Sequence, residues 1–302
     1  MPLVGEEAAV PRNWAGTYEY AAPIRTPASI DEVRRAVAAG GRVRALGTRH
    51  SFTDLPDTYL LAQCGDIDIT GHRTPASLYR EIAFGLRSEP AIAVHRPPHH
   101  GRPAVKTPWS WDDAVSSWSW GVAAGAPVTV DAYARADADE VELLLDGRTL
   151  GVAPVGSPRP LIARFETMCA PGELVAIARR GGAEVGRTAL RTAGEAALRA
   201  AAETDAVDAA SGLAYVAITL ADPDGIVACD RDVEVTVAVE GPGELAGLGS
   251  GAARTLESFA GPSRRTYDGR LLAIVRSTGP GTIAVTATAA GHAPARAEVG
   301  SV

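Results

Sequence analysis

Residues 140–150 read Glu140-Val-Glu-Leu-Leu-Leu145, Asp146-Gly147, Arg148-Thr-Leu150. A two-residue type I′ turn needs positive φ at both central positions, and Asp-Gly supplies it at little steric cost. The stretch therefore predicts a tight β-hairpin. Working outward, short apolar runs recur on both sides: Val128–Tyr133 before it, then Leu161–Phe165, Glu173–Ala178 and, past the Gly181-Gly182 turn, Val185–Leu190. A spacing of about ten residues with no long helix predicts an immunoglobulin-like sandwich over 107–193. Tyr215–Leu220, the Asp222-Pro-Asp-Gly225 turn, Val233–Val239, Arg270–Val275 and Thr282–Ala287 predict a second over 194–302. Between its strands Gly247-Leu-Gly-Ser-Gly251 opens no helix, so a loop of positive-φ turns is expected there and not a phosphate cradle. The fold class expected is mainly β: two immunoglobulin-like sandwiches preceded by a small α/β region.

That preceding region is built differently. Within 1–57, Ser29 and Glu32 form a capping box opening a helix at Ile30. Gly40-Gly41 ends the helix, Val43–Leu46 makes a strand, and Gly47-Thr48-Arg49-His50-Ser51-Phe52 follows as a loop. Residues 58–93 begin with the apolar run Tyr59–Ala62. They continue through a Gly/Asp loop into an amphipathic helix from Ala76 to about Leu86, with Leu78, Ile82 and Leu86 on one face. Residues 94–106 read as an extended, proline-rich linker. Its His95, His99 and His100 have no acid or cysteine at ligand spacing, so solvated side chains and no metal are expected.

Between linker and sandwich, residues 106–120 (KTPWSWDDAVSSWSW) hold four of the five tryptophans and two adjacent acids, Asp112 and Asp113. The Trp-x-Trp spacing puts both rings of each pair on one side of an extended strand. Flat rings beside acids suit a sugar-binding wall, which makes Trp109, Trp111, Trp118 and Trp120 candidate carbohydrate contacts. They equally suit an apolar plug between domains. Set beside incomplete pieces of other domains, they are expected to form an exposed or opportunistically covered patch.

Composition narrows the partners. A net charge of -7 and a pI near 5.4 argue against nucleic acid or an anionic membrane, which need a basic face. Lys106 is the only lysine. Cys64, Cys169 and Cys229 are odd in number and far apart, giving neither a disulfide framework nor a CxxC site, so a reduced cytoplasmic setting is expected. No apolar run approaches the ~20 residues of a membrane span, and the N-terminus lacks the basic and apolar regions of a signal peptide.

Two resemblances attach to these residues. NWAGTYEYAAPIRTPASIDEVRRAVAAGGRVRALGTRHSFTDLPD (13–57) resembles the N-terminal start of the alditol and xylitol oxidases, which carry a vanillyl-alcohol-oxidase-type FAD domain. The resemblance implies His50 as the covalent flavin attachment, with Gly47, Thr48, Arg49 and Ser51 around the pyrophosphate. The match stops near Asp57, and half a pocket cannot bury a cofactor. No cofactor is therefore expected, FAD being the one this resemblance would admit, with a polyol oxidoreductase as the alternative function. The rest resembles the C-terminal part of glycoside hydrolase family 2, the β-galactosidase and β-glucuronidase group. QCGDIDITG (63–71) and the helix after it are similar to the last unit of the catalytic barrel. DEVELLLDGRTLG (139–151) and PGELVAIARRGGAEVG (171–186) are similar to the module that follows. In that family the acid/base glutamate succeeds an asparagine, but Asn13, the only asparagine, precedes Trp14. Both catalytic glutamates are missing, and nothing in the sequence places two of Asp66, Asp68, Asp112 and Asp113 across a closed pocket. The expectation is a non-catalytic accessory region, at most a weak carbohydrate or protein binder.

Overall fold

The structure, a computed structural model, describes residues 60–61, 65–102, 104–105, 111–157, 159–252 and 255–302. The helix, strand and loop expected within 1–57 lie outside these residues. The chain forms two compact units, Met1–Leu61 with Pro103–Pro108, and Ala62–Arg102 with Trp109–Val302. In chain order the first strands are β1 (Leu60–Leu61), β2 (Ala91–His95), β3 (Ala104–Val105), β4 (Ala114–Val115) and β5 (Pro127–Tyr133). β1 and β3 pair in parallel within the first unit.

The first sandwich continues with β6 (Glu140–Leu145), β7 (Arg148–Pro154), β8 (Ile162–Met168), β9 (Glu173–Arg180) and β10 (Ala183–Arg191). Its two antiparallel sheets have the orders β4-β2-β5-β8 and β10-β9-β6-β7. The expected hairpin is β6–β7, with Asp146 at φ 49 and Gly147 at φ 77. Ile92 and Val94, Val128 and Val130, and Phe165 from one sheet meet Val141, Leu143, Leu174 and Ala176 from the other. β2 lies upstream of the boundary expected at 107, in residues given to a barrel piece and a linker. It pairs with β4 and β5, and Ala91–Val94 are fully buried, which makes it a central strand.

The second sandwich consists of β11 (Ala197–Ala202), β12 (Ala206–Val207), β13 (Leu213–Ala221), β14 (Glu234–Glu240), β15 (Gly243–Gly249), β16 (Ser263–Arg265), β17 (Arg270–Ser277), β18 (Gly281–Ala289) and β19 (Ala295–Ser301). Its sheets run β11-β13-β17-β15 and β12-β19-β18-β14-β16, closed over Val216, Ile218, Val235, Leu248, Val275, Ile283 and Val285. The glycine cluster differs from expectation. Gly247 and Gly249 belong to β15, which pairs with β17 through a bulge between Leu245 and Gly247, and neither has positive φ.

Helix α1 (Pro75–Ala83) follows the Gly/Asp loop and docks on the outer face of sheet β4-β2-β5-β8. Ile82, with Leu78 and Tyr79 partly buried, packs against Ala91, Ala93, Ala114, Tyr133 and Ile162. The helix stops earlier than its apolar periodicity suggests. Gly85 takes φ 71, the Gly85 amide donates to the Ile82 carbonyl and the Leu86 amide to the Glu81 carbonyl. This is a Schellman closure, and it sends Leu86 into solvent at 78% exposure, off the face expected to carry it. No helix of the described residues is long and apolar enough to cross a membrane.

Candidate functional site at the seam of the two sandwiches

Strand register places the first group of charged side chains. Asp131 in β5 lies opposite Ala93 of β2 and Arg164 of β8. Side chains alternate along a strand, so Val128, Val130 and Ala132 fill the sandwich while Asp131 and Tyr133 point to the outer face. Ala93 leaves room beside the carboxylate. Arg164 grips it from Nε at 2.7 Å and Nη2 at 2.8 Å, and His95 Nε2 reaches it at 2.9 Å. Burial alone would raise the Asp131 pKa, but the Arg164 and His95 hydrogen bonds outweigh it and hold the carboxyl below its ordinary value. Asp112, 3% exposed, joins through Arg159 at 3.5 Å and Arg164 at 3.6 Å.

His95 is therefore no solvated linker histidine. Its ligand atom lies within 4.8 Å of those of Asp112 and Asp131, a grouping that could hold a cation. The arginine fork already supplies the positive charge there, and a metal would have to displace it. His99 is likewise engaged, its Nδ1 2.6 Å from Asp113 Oδ2, in a short 3-10 turn at Pro97–His99. Of the three histidines only His100 is exposed as expected.

The tryptophans separate. Trp109 lies outside the described residues. Trp118 is 2% exposed inside the first sandwich core, so its ring has no face to offer a sugar. Trp111 is half-buried and packs with Tyr79 and Tyr133 at centroid distances of 4.9 and 6.4 Å, its indole N–H donating to the Tyr133 hydroxyl. Trp120 is half-buried against the same core as Trp118, as the period-2 spacing predicts, and its N–H donates to the Ser117 carbonyl. Of the exposed or opportunistically covered patch expected of these rings, the described residues show the covered form. Helix α1 covers Trp111, and the first sandwich's own core takes Trp118 and one side of Trp120.

The chain between the rings forms the joint. Thr192 Oγ1 donates to the Trp118 carbonyl, the Ala193 amide to Ser119 Oγ, and the Cys229 thiol to the Ser119 carbonyl at 3.1 Å. Arg96, directly after β2, crosses to the second sandwich. Its Nη1 and Nη2 lie 2.6 and 2.8 Å from the two oxygens of Asp268, Nη2 also donates to the Tyr267 hydroxyl, and Nε donates to Asp113. Beside this fork a cleft of about 210 Å³ opens between the modules, lined among others by Arg96, His99, Trp120, Asp230, Asp232 and Tyr267.

The acids singled out from sequence are committed to cations or backbone and do not face one another. Asp66 contacts Arg80 of α1, Asp68 accepts from Thr70 and the His72 amide, and Asp113 serves Arg96 and His99. The flavin-type residues Gly47, Thr48, Arg49, His50 and Ser51 lie outside the described residues. Asp131, Arg164, Arg96 and Asp268 were not singled out. The one available signal was Asp131 itself, a charge in the middle of the apolar strand Val128–Tyr133.

With this geometry in hand, comparison with known proteins gives a consistent placement. Residues 198–298 match the family model described as glycoside hydrolase family 2 C-terminal domain 5, and residues 125–186 match a domain of unknown function, DUF4982. Beta-galactosidase BoGH2A of Bacteroides ovatus is 30% identical over 180 residues, which cover 58% of this chain and 20% of that protein. The solved glycosyl hydrolase family 2 member from Bacteroides cellulosilyticus is 30% identical with a TM-score of 0.69, covering 79% of this chain and 32% of that one. A beta-glycosidase from Bacteroides vulgatus, 18% identical with a TM-score of 0.60 over 78% of this chain and 28% of its own, shares the fold. The chain thus resembles the C-terminal region of family 2 glycoside hydrolases. It spans about a fifth of the curated relative and a third of the solved one.

Proposed function

We propose that this chain serves as a non-catalytic C-terminal accessory region of a β-galactosidase-type family 2 glycoside hydrolase. The observation that carries the reading is the likeness to a solved family 2 enzyme across both sandwiches, over 79% of this chain. The seam chemistry supports its non-catalytic half. A retaining glycosidase needs two carboxyls about 5–5.5 Å apart, one ionised and one holding a proton near neutrality. Asp131 is clamped by Arg164 and His95, which hold its carboxyl below the ordinary value, so it stays ionised and cannot act as the acid. On this account the modules contribute a rigid, aromatic-lined body to a larger assembly. The test is hydrolysis of 4-nitrophenyl β-D-galactoside by the purified chain. No turnover above the buffer blank is expected. Saturable turnover that stays with the chain through purification and vanishes on heat denaturation would overturn the reading.

A further inference from the structure

The cleft beside Arg96 is built from both sandwiches. Trp120 and His99 come from one side, Asp230, Asp232 and Tyr267 from the other. Gly121 allows this closeness, because a Cβ there would come 2.7 Å from Asp230 Oδ2. We propose that this cleft is a binding site for a single pyranose ring, with the sugar's C–H face on Trp120 and its hydroxyls donating to Asp230 and Asp232.

The available atoms argue for that chemistry. Trp120 has spent its N–H on the Ser117 carbonyl, so what it brings to the cleft is apolar ring surface. Arg96 is committed to Asp113, Asp268 and Tyr267, and its guanidinium sits 5.3 Å from the Tyr267 ring centroid, where a ligand cation would otherwise stack. Asp230, whose side chain is 13% exposed, has among the described residues only a 3.9 Å ion pair with Arg231. A carboxylate has roughly four lone-pair sites to fill. Asp232 accepts from Thr266 and the Gly269 amide at one oxygen, Oδ1. His99 has its Nδ1 on Asp113. The cleft is thus rich in acceptors, poor in free donors and flanked by an aromatic wall. Asp230 and Asp232 disfavour an anion, whereas a polyhydroxylated ring supplies donors on one edge and C–H surface on the other. At about 210 Å³ the cleft falls below the roughly 300–1,000 Å³ of drug-sized sites, which limits it to one ring.

The proposal rests on the accessory reading only for the choice of a galactoside as the first probe. Saturation-transfer NMR of the full chain with methyl β-D-galactopyranoside should show transfer to ring C–H protons. Its dissociation constant should be on the order of 1–10 mM, the range that ligand efficiency allows one sugar ring. Trp120→Ala and Asp230→Asn, each checked for an unchanged melting profile, should weaken it at least about fivefold. Asp230→Asn keeps the shape and serves if Trp120→Ala fails to fold. Saturable transfer from methyl β-D-glucopyranoside but not the galactoside, lost in the same variants, supports the cleft and counts against the β-galactosidase type. No transfer from either glycoside, or transfer unchanged in a folded Asp230→Asn variant, overturns it.

Discussion

Arg96 of the first sandwich holds both carboxylate oxygens of Asp268 of the second, Nη1 to Oδ1 at 2.6 Å and Nη2 to Oδ2 at 2.8 Å, with side chains only 11% and 14% exposed. Burial alone would lower the arginine's pKa, but the Asp268 hydrogen bond and charge outweigh it, so the guanidinium stays protonated. Asp113 grips the same residue from the tryptophan stretch. One side chain therefore ties β2, residues 111–122 and the β16–β17 turn together.

Arg96→Ala should cost about 3–5 kcal/mol in denaturant titration, because it leaves buried carboxylates without their cation. Arg96→Lys should recover little, since a point charge cannot reproduce the planar fork. The double variant Arg96→Ala with Asp268→Ala should lose clearly less than the sum of the singles. Additive losses would mean the pair is not coupled.

Asp131 should make the first sandwich acid-sensitive. Its folded pKa is depressed, so its contribution is complete above the ordinary aspartate value of about 3.9 and lost as pH falls through the lower folded value. Asp131→Asn should destabilise at pH 7 by about 3–5 kcal/mol. It should also flatten the loss of stability that the parent shows below about pH 4, as followed by urea denaturation across pH. Parallel pH profiles for the two proteins would contradict the assignment.

Helix α1 separates two leucine-type positions that its periodicity groups together. Ile82→Ala should cost about 2–5 kcal/mol, because Ile82 is 4% exposed against Ala91 and Tyr133. Leu86→Ser, beyond the Gly85 closure, should change stability by no more than about 0.5 kcal/mol. Equal effects in thermal melts would restore the longer helix.

Burial pushes the thiols of Cys169 and Cys229 up to about 11. Few thiolates form there at neutral pH, and thiolate is the reactive species. Mass-spectrometric mapping after brief exposure to an aromatic disulfide reagent at pH 7.5 should find both unlabelled in native protein and labelled in denaturant. Fast native labelling of Cys229 would mean that its bond to Ser119 and the joint around it open readily.

Local chemistry made part of this fold readable in advance. The hairpin at Asp146-Gly147 follows from turn stereochemistry alone, and β13, β17 and β18 carry their own alternation. β2 hid because Ala91–Val94 is short, sits after Pro90 and before Pro97-Pro98, and is buried on both faces, so it shows no alternation. β11, with four alanines in six residues, and the glycine-bearing β15 have low intrinsic strand preference and exist through pairing with β13 and β17. Tryptophan spacing put Trp118 and Trp120 on one side, but it marks the start of the first sandwich too late, since β2 upstream of it is already a central strand of that sandwich. The His95–Asp131–Arg164 cluster was invisible for a different reason. Its members are 33 and 36 positions apart along the chain and meet only through strand register.

The central claim is that residues 111–122 are the interior joint of a two-sandwich body. Hydrogen exchange read by mass spectrometry on the full chain tests it most directly. Peptides spanning Val115–Gly121 should be protected to a degree comparable with those from β13 and β17, because Ser117, Trp118 and Ser119 are buried, Thr192 and Ala193 at the end of the first sandwich bond to Trp118 and Ser119, and Cys229 bonds to Ser119 from across the seam. Complete exchange of those peptides within seconds, while β13 and β17 stay protected, would contradict it.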